Sequence, residues 1–560
     1  MEALLVLDLR SRKVASLPSS FRCLVRLKAL FLSRSRWVNF DVTSLSLIGE
    51  LKKLEILQLE DFEFGTVPKE FGNLTKLRCL DLLGCTGTIP RNLISRLSRL
   101  EQLYLTEVFT NWQVDDSTAA GCGAATFAEL ASLSCLTTLH VDIENPDVFL
   151  QLNFVPWPAL ADFKIAVGVE ASIRPSAFEP GRSRSKQLAI TKSTYKYKWV
   201  MDLVTKTECL LLHNWPGMEC LVGSGAEAEE EGLSRPVGNK LFEVRELYLH
   251  SMPDMRSLCS GTLLPNVRLL RKLSKLKISE CHELVDVLLP TCMLLRTQQL
   301  MESLKISSCY KLEKVLSLTD FVQEEEGEGG QSAIEAGGRA LLPRLQSILL
   351  EELPELRSVW GDDGHGDVMM LPAGSLQNLE SLEVWHCESL KDDCILPPIL
   401  PIPNKLDHFP SLRELYIVGC HSLTHLLSWR QAKGQLPHLQ DLYVRNCRRM
   451  ETVVIKEEPE EEVEEESHVL PSLTHLSFLN LPMLRSFFQG EQCSKSLSSL
   501  KFLSIMECPK MKKLPLSSSS PPVDLQRLEG ESWEWFESLE WGEDQSIKER
   551  LRPLFEPTLQ

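Results

Sequence analysis

Cysteine and histidine stand side by side three times in the second half of this 560-residue chain, at Cys281–His282, His386–Cys387 and Cys420–His421. A thiol beside an imidazole is the pair from which a nucleophile and its general base are made, and the same two side chains ligate zinc. A nucleophile pair needs a cleft that brings both side chains onto one substrate, whereas neighbours on a turn face apart. Zinc needs grouped ligands, and the 17 cysteines form no CxxC pair and no regular Cys/His finger spacing. No GxSxG, HExxH or GxGxxG stands between a strand and a helix, and no GxxxxGK[ST] loop offers amides and a lysine to phosphates. Neither an enzyme nor a metal, cofactor or nucleotide site is expected.

The residues best suited to chemistry are those that bind proteins. Tyr104, Tyr248, Tyr416 and Tyr443, four of the seven tyrosines, hold the same place in a repeated pattern; Trp385 and Arg445 lie two residues beyond that place in their own copies. Tyr, Trp and Arg are the usual anchors of protein interfaces. Tyr also favours strands for its own sake, which is the plainer account of the same pattern. Tyr416 and Tyr443, expected on adjacent strands with both rings facing solvent, would form the centre of a contact patch.

The positioning element is LxxLxL. It occurs at Leu27-Leu30-Leu32, Leu54-Leu57-Leu59, Leu77-Leu80-Leu82 and Leu100-Leu103-Leu105, 23 to 27 residues apart, and about seventeen copies run along the chain. This is the leucine-rich-repeat period. Successive side chains of a strand point to opposite faces, so the two apolar residues of LxL turn inward and the one between them turns outward. One repeat cannot bury its apolar face alone; stacked repeats bury it together. The expected fold is an α/β leucine-rich-repeat solenoid, a curved horseshoe with a parallel sheet on its concave face and an irregular, short-helical convex side. Its outward row reads Asp8, Phe31, Gln58, Asp81, Tyr104, His140, Lys164, Leu211, Tyr248, Lys277, Lys305, Leu349, Glu383, Tyr416, Tyr443, Ser477 and Ser504.

Later copies continue as LxIxxC, as in LKISECHEL (276–284) and LYVRNCRRM (442–450), or place an apolar residue and Pro after the strand, as in ELPEL (352–356). Cys281, Cys309, Cys387, Cys420, Cys447 and Cys508 are thereby read as inward turn residues. Residues 1–110 are regular repeats. Residues 111–240 are irregular, with a loop at 115–126 and a basic run of Arg182, Arg184, Lys186, Lys192, Lys196 and Lys198. Residues 241–515 are long repeats interrupted by acidic inserts at 227–231, just before them, 324–330 and 457–466. Residues 516–560 are a Ser/Pro linker and an aromatic cap in which Trp533, Phe536 and Leu539 share a helical face.

A net charge of -17 opposes nucleic-acid binding, which needs clustered Lys and Arg. MEALLVLDLR has no basic stretch ahead of its apolar run, so no signal peptide is expected, and no run of about 20 apolar residues offers a membrane span. Many unpaired cysteines point to a reducing compartment, the cytoplasm.

In its ordered combination of features the chain resembles the leucine-rich-repeat region of plant intracellular nucleotide-binding disease-resistance proteins of the coiled-coil class. LPSSFRCLVRL (17–27), VPKEFGNLTKLRCLDLLGC (67–85), TECLLLHN (207–214), the alternating Cys and Leu-Pro repeats, the Glu-rich inserts and the ending LEGESWEWFESLEWGEDQSIKERLRPLF (528–555) carry the resemblance, over essentially the whole chain. The resemblance implies recognition of a pathogen effector or a guarded host protein, and a nucleotide-binding domain as partner in the full receptor. The chain enters its first repeat at Leu4 without a phosphate loop, so it is read as a fragment or truncated receptor with an uncovered first strand. The alternative is an intracellular scaffold or ubiquitin-ligase substrate adaptor, for which an F-box-like segment is missing.

Overall fold

The computed structural model describes residues 3–10, 15–33, 41–105, 112, 123–146, 160–174, 186–191, 198–223, 243–260, 272–285, 287, 300–315, 342–360, 374–392, 394–396, 409–456, 469–489, 497–516, 524–541 and 546–558. The three acidic inserts, most of the loop at 115–126, residues 517–523 of the linker and Arg182, Arg184, Lys192 and Lys196 of the basic run lie outside these. The chain forms two compact units, Met1–Trp215 with Lys240–His250, and Pro216–Asn239 with Ser251–Gln560.

In the first unit the described residues give ten strands of the main sheet, each parallel to the next: Val6–Asp8, Ala29–Ser33, Ile56–Glu60, Cys79–Asp81, Gln102–Leu105, Thr138–Ile143, Asp162–Val167, Lys186–Thr191, Cys209–His213 and Glu246–His250. The register runs Asp8, Phe31, Gln58, Asp81, Tyr104, His140, Lys164, as the repeat demands. Inward Leu30, Leu57, Leu80, Leu103 and Leu139 are almost wholly buried. Each such leucine contributes roughly 1.5–3 kcal/mol by leaving water. The return of the chain is made by short 3-10 helices, Ser19–Cys23, Val42–Glu50, Lys69–Asn73 and Ile94–Arg96. Phe21 and Phe71 of these helices are buried, and Leu27 and Leu77 close the turn that follows. The strand Lys186–Thr191 is an addition to the sequence reading. At the other end, Leu4, Leu5 and Val6 are exposed apolar residues of the first turn.

The second unit repeats the plan with ten described strands of the main sheet: Lys275–Ser279, Ser303–Ser307, Ser347–Glu351, Ser381–Trp385, Glu414–Val418, Asp441–Arg445, His475–Leu479, Phe502–Met506, Arg527–Gly530 and Phe555–Pro557. The last two are also additions. They lie in the tail, where the sequence pattern placed a helical face. That helix exists at Trp533–Glu537, capped by the Ser532 hydroxyl, but it buries Phe536 and Leu539 while Trp533 stays 43% exposed.

A single stereochemical event recurs after nine successive strands of the main sheet, from Glu246–His250 to Phe502–Met506. Ser251, Glu280, Ser308, Glu352, His386, Gly419, Asn446, Asn480 and Glu507 all take positive φ, between 51° and 69°. This left-handed step turns the chain sharply. Through Asn480 it also aims the residue's N–H at the carbonyl ending the following strand, for example Glu352 N–H to Trp385 O at 2.9 Å and Asn446 N–H to Leu479 O at 2.9 Å. The next residue then drops into the core: Met252, Cys281, Cys309, Leu353, Cys387, Cys420, Cys447, Leu481 and Cys508 are all 0% exposed. The six cysteines hold this place by donating their Sγ–H back to the strand's last carbonyl, at 3.3 to 3.7 Å. At Gly419 a side chain would strike the His386 ring, so glycine is required there for space as well as for φ.

Candidate functional site

The outward face of the sheet differs between the units. In the first, Thr138–Ile143 and Asp162–Val167 are buried on both sides. Ala166, Ala189, Cys209 and Leu211 of the outward side pack with Val169 and Ile173, residues that follow the strand Asp162–Val167 and fold over the sheet. Arg174 ties this cover down with a 2.8 Å ion pair to Asp142 and a 2.6 Å bond to the Val169 carbonyl. Beneath it, His140 is 0% exposed and meets the Tyr104 ring edge-on at 4.7 Å. Burial, helped by the Lys164 ammonium, pushes the His140 imidazole down to about 3, and burial lowers Lys164 itself. Asp162 lies 3.8 Å from His140 Nε2, beyond hydrogen-bond reach of a ring that burial keeps neutral.

Two of the expected anchor residues are corrected here. Tyr104 is 7% exposed, and Tyr248 packs against the apolar cover with its hydroxyl donating to Glu246 Oε2 at 3.0 Å. Tyr104 is buried, and Tyr248 is partly exposed with one side against the cover.

In the second unit the outward residues stay partly exposed while their neighbours are buried, strand after strand from Ser303 to Val418. The central outward row reads Lys277, Lys305, Leu349, Glu383, Tyr416, Tyr443, Ser477, Ser504, Glu529, Glu556. Tyr416 and Tyr443 are register partners, and their rings lie 4.7 Å apart and 2° from parallel. That separation is the spacing of neighbouring strands, so the stack follows from the register. The rings are partly exposed and pack on each other, where the sequence reading had them facing solvent alone. The row beyond holds Trp385, Val418 and Arg445. The Arg445 guanidinium sits 5.6 Å over the Tyr443 ring, and Trp385 Nε1 is buried without a hydrogen-bond partner.

Carboxylates surround the stack. Glu351 pairs with Lys305 at 3.4 Å and Asp441 with His475 at 2.7 Å. Among the described residues Glu383 and Glu414 have no cation at ion-pair distance. Burial and the neighbouring Glu414 raise Glu383 above the ordinary carboxylate range, and burial with Glu414 pushes Tyr416 up to about 12. The arrangement is a hard, preorganised π surface rimmed by negative charge. Beneath the sheet, burial pushes Cys387 and Cys447 up to about 12, so these thiols stay protonated. Among the described residues no cluster of His, Cys, Asp or Glu could hold a metal, and no helix is long and apolar enough to cross a membrane.

Comparison with known proteins bears on what such a surface belongs to. A disease resistance protein of Arabidopsis thaliana is 25% identical over 410 residues, which cover 69% of this chain and 38% of that protein. Disease resistance protein RPS5 of Arabidopsis thaliana is 31% identical over 147 residues, 26% of this chain and 15% of that one. The chain thus spans well under half the length of these relatives. Among solved structures, an internalin from Listeria monocytogenes covers 68% of this chain, with 87% of its own length matched, at 17% identity and a TM-score of 0.36. The family model for the leucine-rich repeats of plant RPS2-like disease resistance proteins matches residues 243–400 and 399–532, more than half of the sequence. The chain belongs to that family of plant disease-resistance leucine-rich repeats.

Proposed function

We propose that this chain is a protein-recognition module of plant innate immunity, working in the cytoplasm, and that its ligand, a pathogen effector or a guarded host protein, docks on the outward sheet face around Trp385, Tyr416, Tyr443 and Arg445. The observation that carries the reading is the Tyr416–Tyr443 stack: two large rings held parallel on a partly exposed strand face, where the stretch of the first unit around Ala189 and Leu211 is already covered. Rigid aromatic side chains lose little freedom on binding and anchor interfaces well. In a full receptor, a nucleotide-binding domain would be a second partner.

The test is proximity labelling in plant leaf cells with the full receptor, comparing wild type with Tyr416→Ala/Tyr443→Ala. Losing both anchors should weaken a specific partner by about 2 kcal/mol or more, roughly 30-fold. The same variant forfeits the ring stack and about 1 kcal/mol of fold stability, so a melting curve accompanies it. Unchanged labelling with an intact fold would move the site elsewhere on the chain.

A further inference from the structure

We infer that the segment docking on this face presents an arginine, whose guanidinium lies against Tyr416 and is gripped by Glu383 and Glu414. The inference rests on the recognition reading above and adds the chemistry of the partner.

The same sheet face shows a filled version of this arrangement. Four strands beyond that of Tyr416, Arg527 bridges two carboxylates on adjacent strands, Glu529 at 2.8 Å and Glu556 at 2.6 Å, and its guanidinium sits 5.8 Å over the Phe502 ring of the strand before. The first turn of the chain builds a smaller one, with Arg10 paired to Asp8 at 2.6 Å and 5.1 Å over Phe31. Arg445 over Tyr443 shows that this ring stack itself accepts a guanidinium. In each case a ring supplies the π face, and in the first two carboxylates supply the charge, which is the pair of features that a planar, bidentate cation satisfies at once.

At Glu383 and Glu414 the ring and the carboxylates are in place, and among the described residues no guanidinium pairs with them. Glu383 is the register partner of Tyr416, and Glu414 lies two residues before Tyr416 on its strand, so both carboxylates flank one ring. The neighbouring carboxylates are spoken for, Glu351 by Lys305 and Asp441 by His475. Burial and the charge of Glu414 disfavour the charge on Glu383, and the more distant Lys305, already paired with Glu351, offsets only part of this. A cation arriving there offsets the repulsion between the two carboxylates, whereas an acidic segment would add to it and a purely apolar one would strip water from both.

The experiment uses the full chain with 3-fluorotyrosine at its seven tyrosines and a fluorescein-labelled tetra-arginine peptide as probe, with tetra-lysine and tetra-glutamate peptides for comparison. Fluorine spectra should show the Tyr416 resonance, assigned with Tyr416→Phe, moving on addition of tetra-arginine, less with tetra-lysine and not with tetra-glutamate. By anisotropy, Glu383→Gln/Glu414→Gln should bind tetra-arginine about ten-fold more weakly. The charge-matched Glu355→Gln/Glu388→Gln on the turns should change it by less than about two-fold. Equal losses in both pairs would reduce the effect to the chain's overall acidity and overturn the inference, as would an unmoved Tyr416 resonance in the wild type, whatever the variants do. If partner labelling depends on Tyr416 and Tyr443 while tetra-arginine fails these tests, recognition stands and the basic partner falls. If the peptide binds as inferred but labelling ignores both tyrosines, the recognition reading falls instead.

Discussion

Replacing His140 with leucine should make the chain more tolerant of acid. The imidazole is 0% exposed, and among the described residues neither ring nitrogen has a hydrogen-bond partner. The charged and titratable groups around it are Lys164, which opposes a second positive charge, Asp162 at 3.8 Å, and Asp142, which is already paired with Arg174. In the folded chain the ring titrates at about 3, in an unfolded chain near 6.5. Between those values the unfolded state takes up a proton that the folded state refuses. Stability is therefore intact above about 6.5 and falls with pH below it, by about 1.4 kcal/mol per unit. At about pH 5 the loss is on the order of 2 kcal/mol. Leucine removes the titration and also the edge contact with Tyr104, a pH-independent cost of about 1 kcal/mol. Urea unfolding of both proteins from neutral pH down to about pH 5 gives the difference directly, since carboxylates titrate alike in the two and cancel. The variant should start level or slightly behind and move ahead by about 2 kcal/mol. A constant difference would refute the buried neutral histidine. A variant that falls further behind on acidification would mean a His140–Asp162 ion pair.

Other consequences are open to direct measurement. Cys281, Cys387, Cys420, Cys447 and Cys508 are buried with raised thiols, so alkylation with peptide mapping should modify exposed Cys23 and Cys135 within minutes and reach these five only on unfolding. Glu129, 6% exposed, accepts from the backbone N–H of Asn92 at 2.8 Å, of Thr126 at 3.3 Å and of Ser95 at 3.3 Å, stapling one turn of the coil to the next. Glu129→Ala should cost about 3 kcal/mol in denaturant unfolding, and Glu129→Gln distinctly less. Gly419→Ala meets both a left-handed φ and the His386 ring, and should lower stability by about 2 kcal/mol or more.

The alternation of LxL was enough to place the outward row, and each register partner given for it agrees, from Asp8 to Tyr104 and from Lys277 to Ser504. Alternation says which residues share a face; it does not say whether a face meets water. The covered stretch of the first unit carried a signal that was passed over. CLLLH (209–213) is apolar on both faces, and Ala166 and Ala189 are small where a solvated strand would carry a polar residue, the composition of a strand buried on two sides. KQLAIT (186–191) escaped because it has no leucine at the first repeat position, and the tail strand RLEG because its glycine breaks the motif and makes room for Trp535. The carboxylate rim around Tyr416 needed distances, because residues 31 and 33 apart in sequence, such as Glu383 against Glu414 and Tyr416, become neighbours only through the ladder.

The left-handed residue after the strands from Glu246–His250 to Phe502–Met506 also does something for the chain as a message. It resets the phase. Whatever length of sequence lies between two turns, the strand's end is marked by the same backbone step, with a buried residue just after it. Strands 44 residues apart, Ser303–Ser307 and Ser347–Glu351, therefore pair in the same frame as strands 27 apart, Glu414–Val418 and Asp441–Arg445. An insertion between turns lengthens the detour without exchanging the two faces, where a one-residue slip inside a strand would turn the whole face over. Length and surface can then change independently, so such a coil can acquire new inserts and new outward side chains without rewriting its interior.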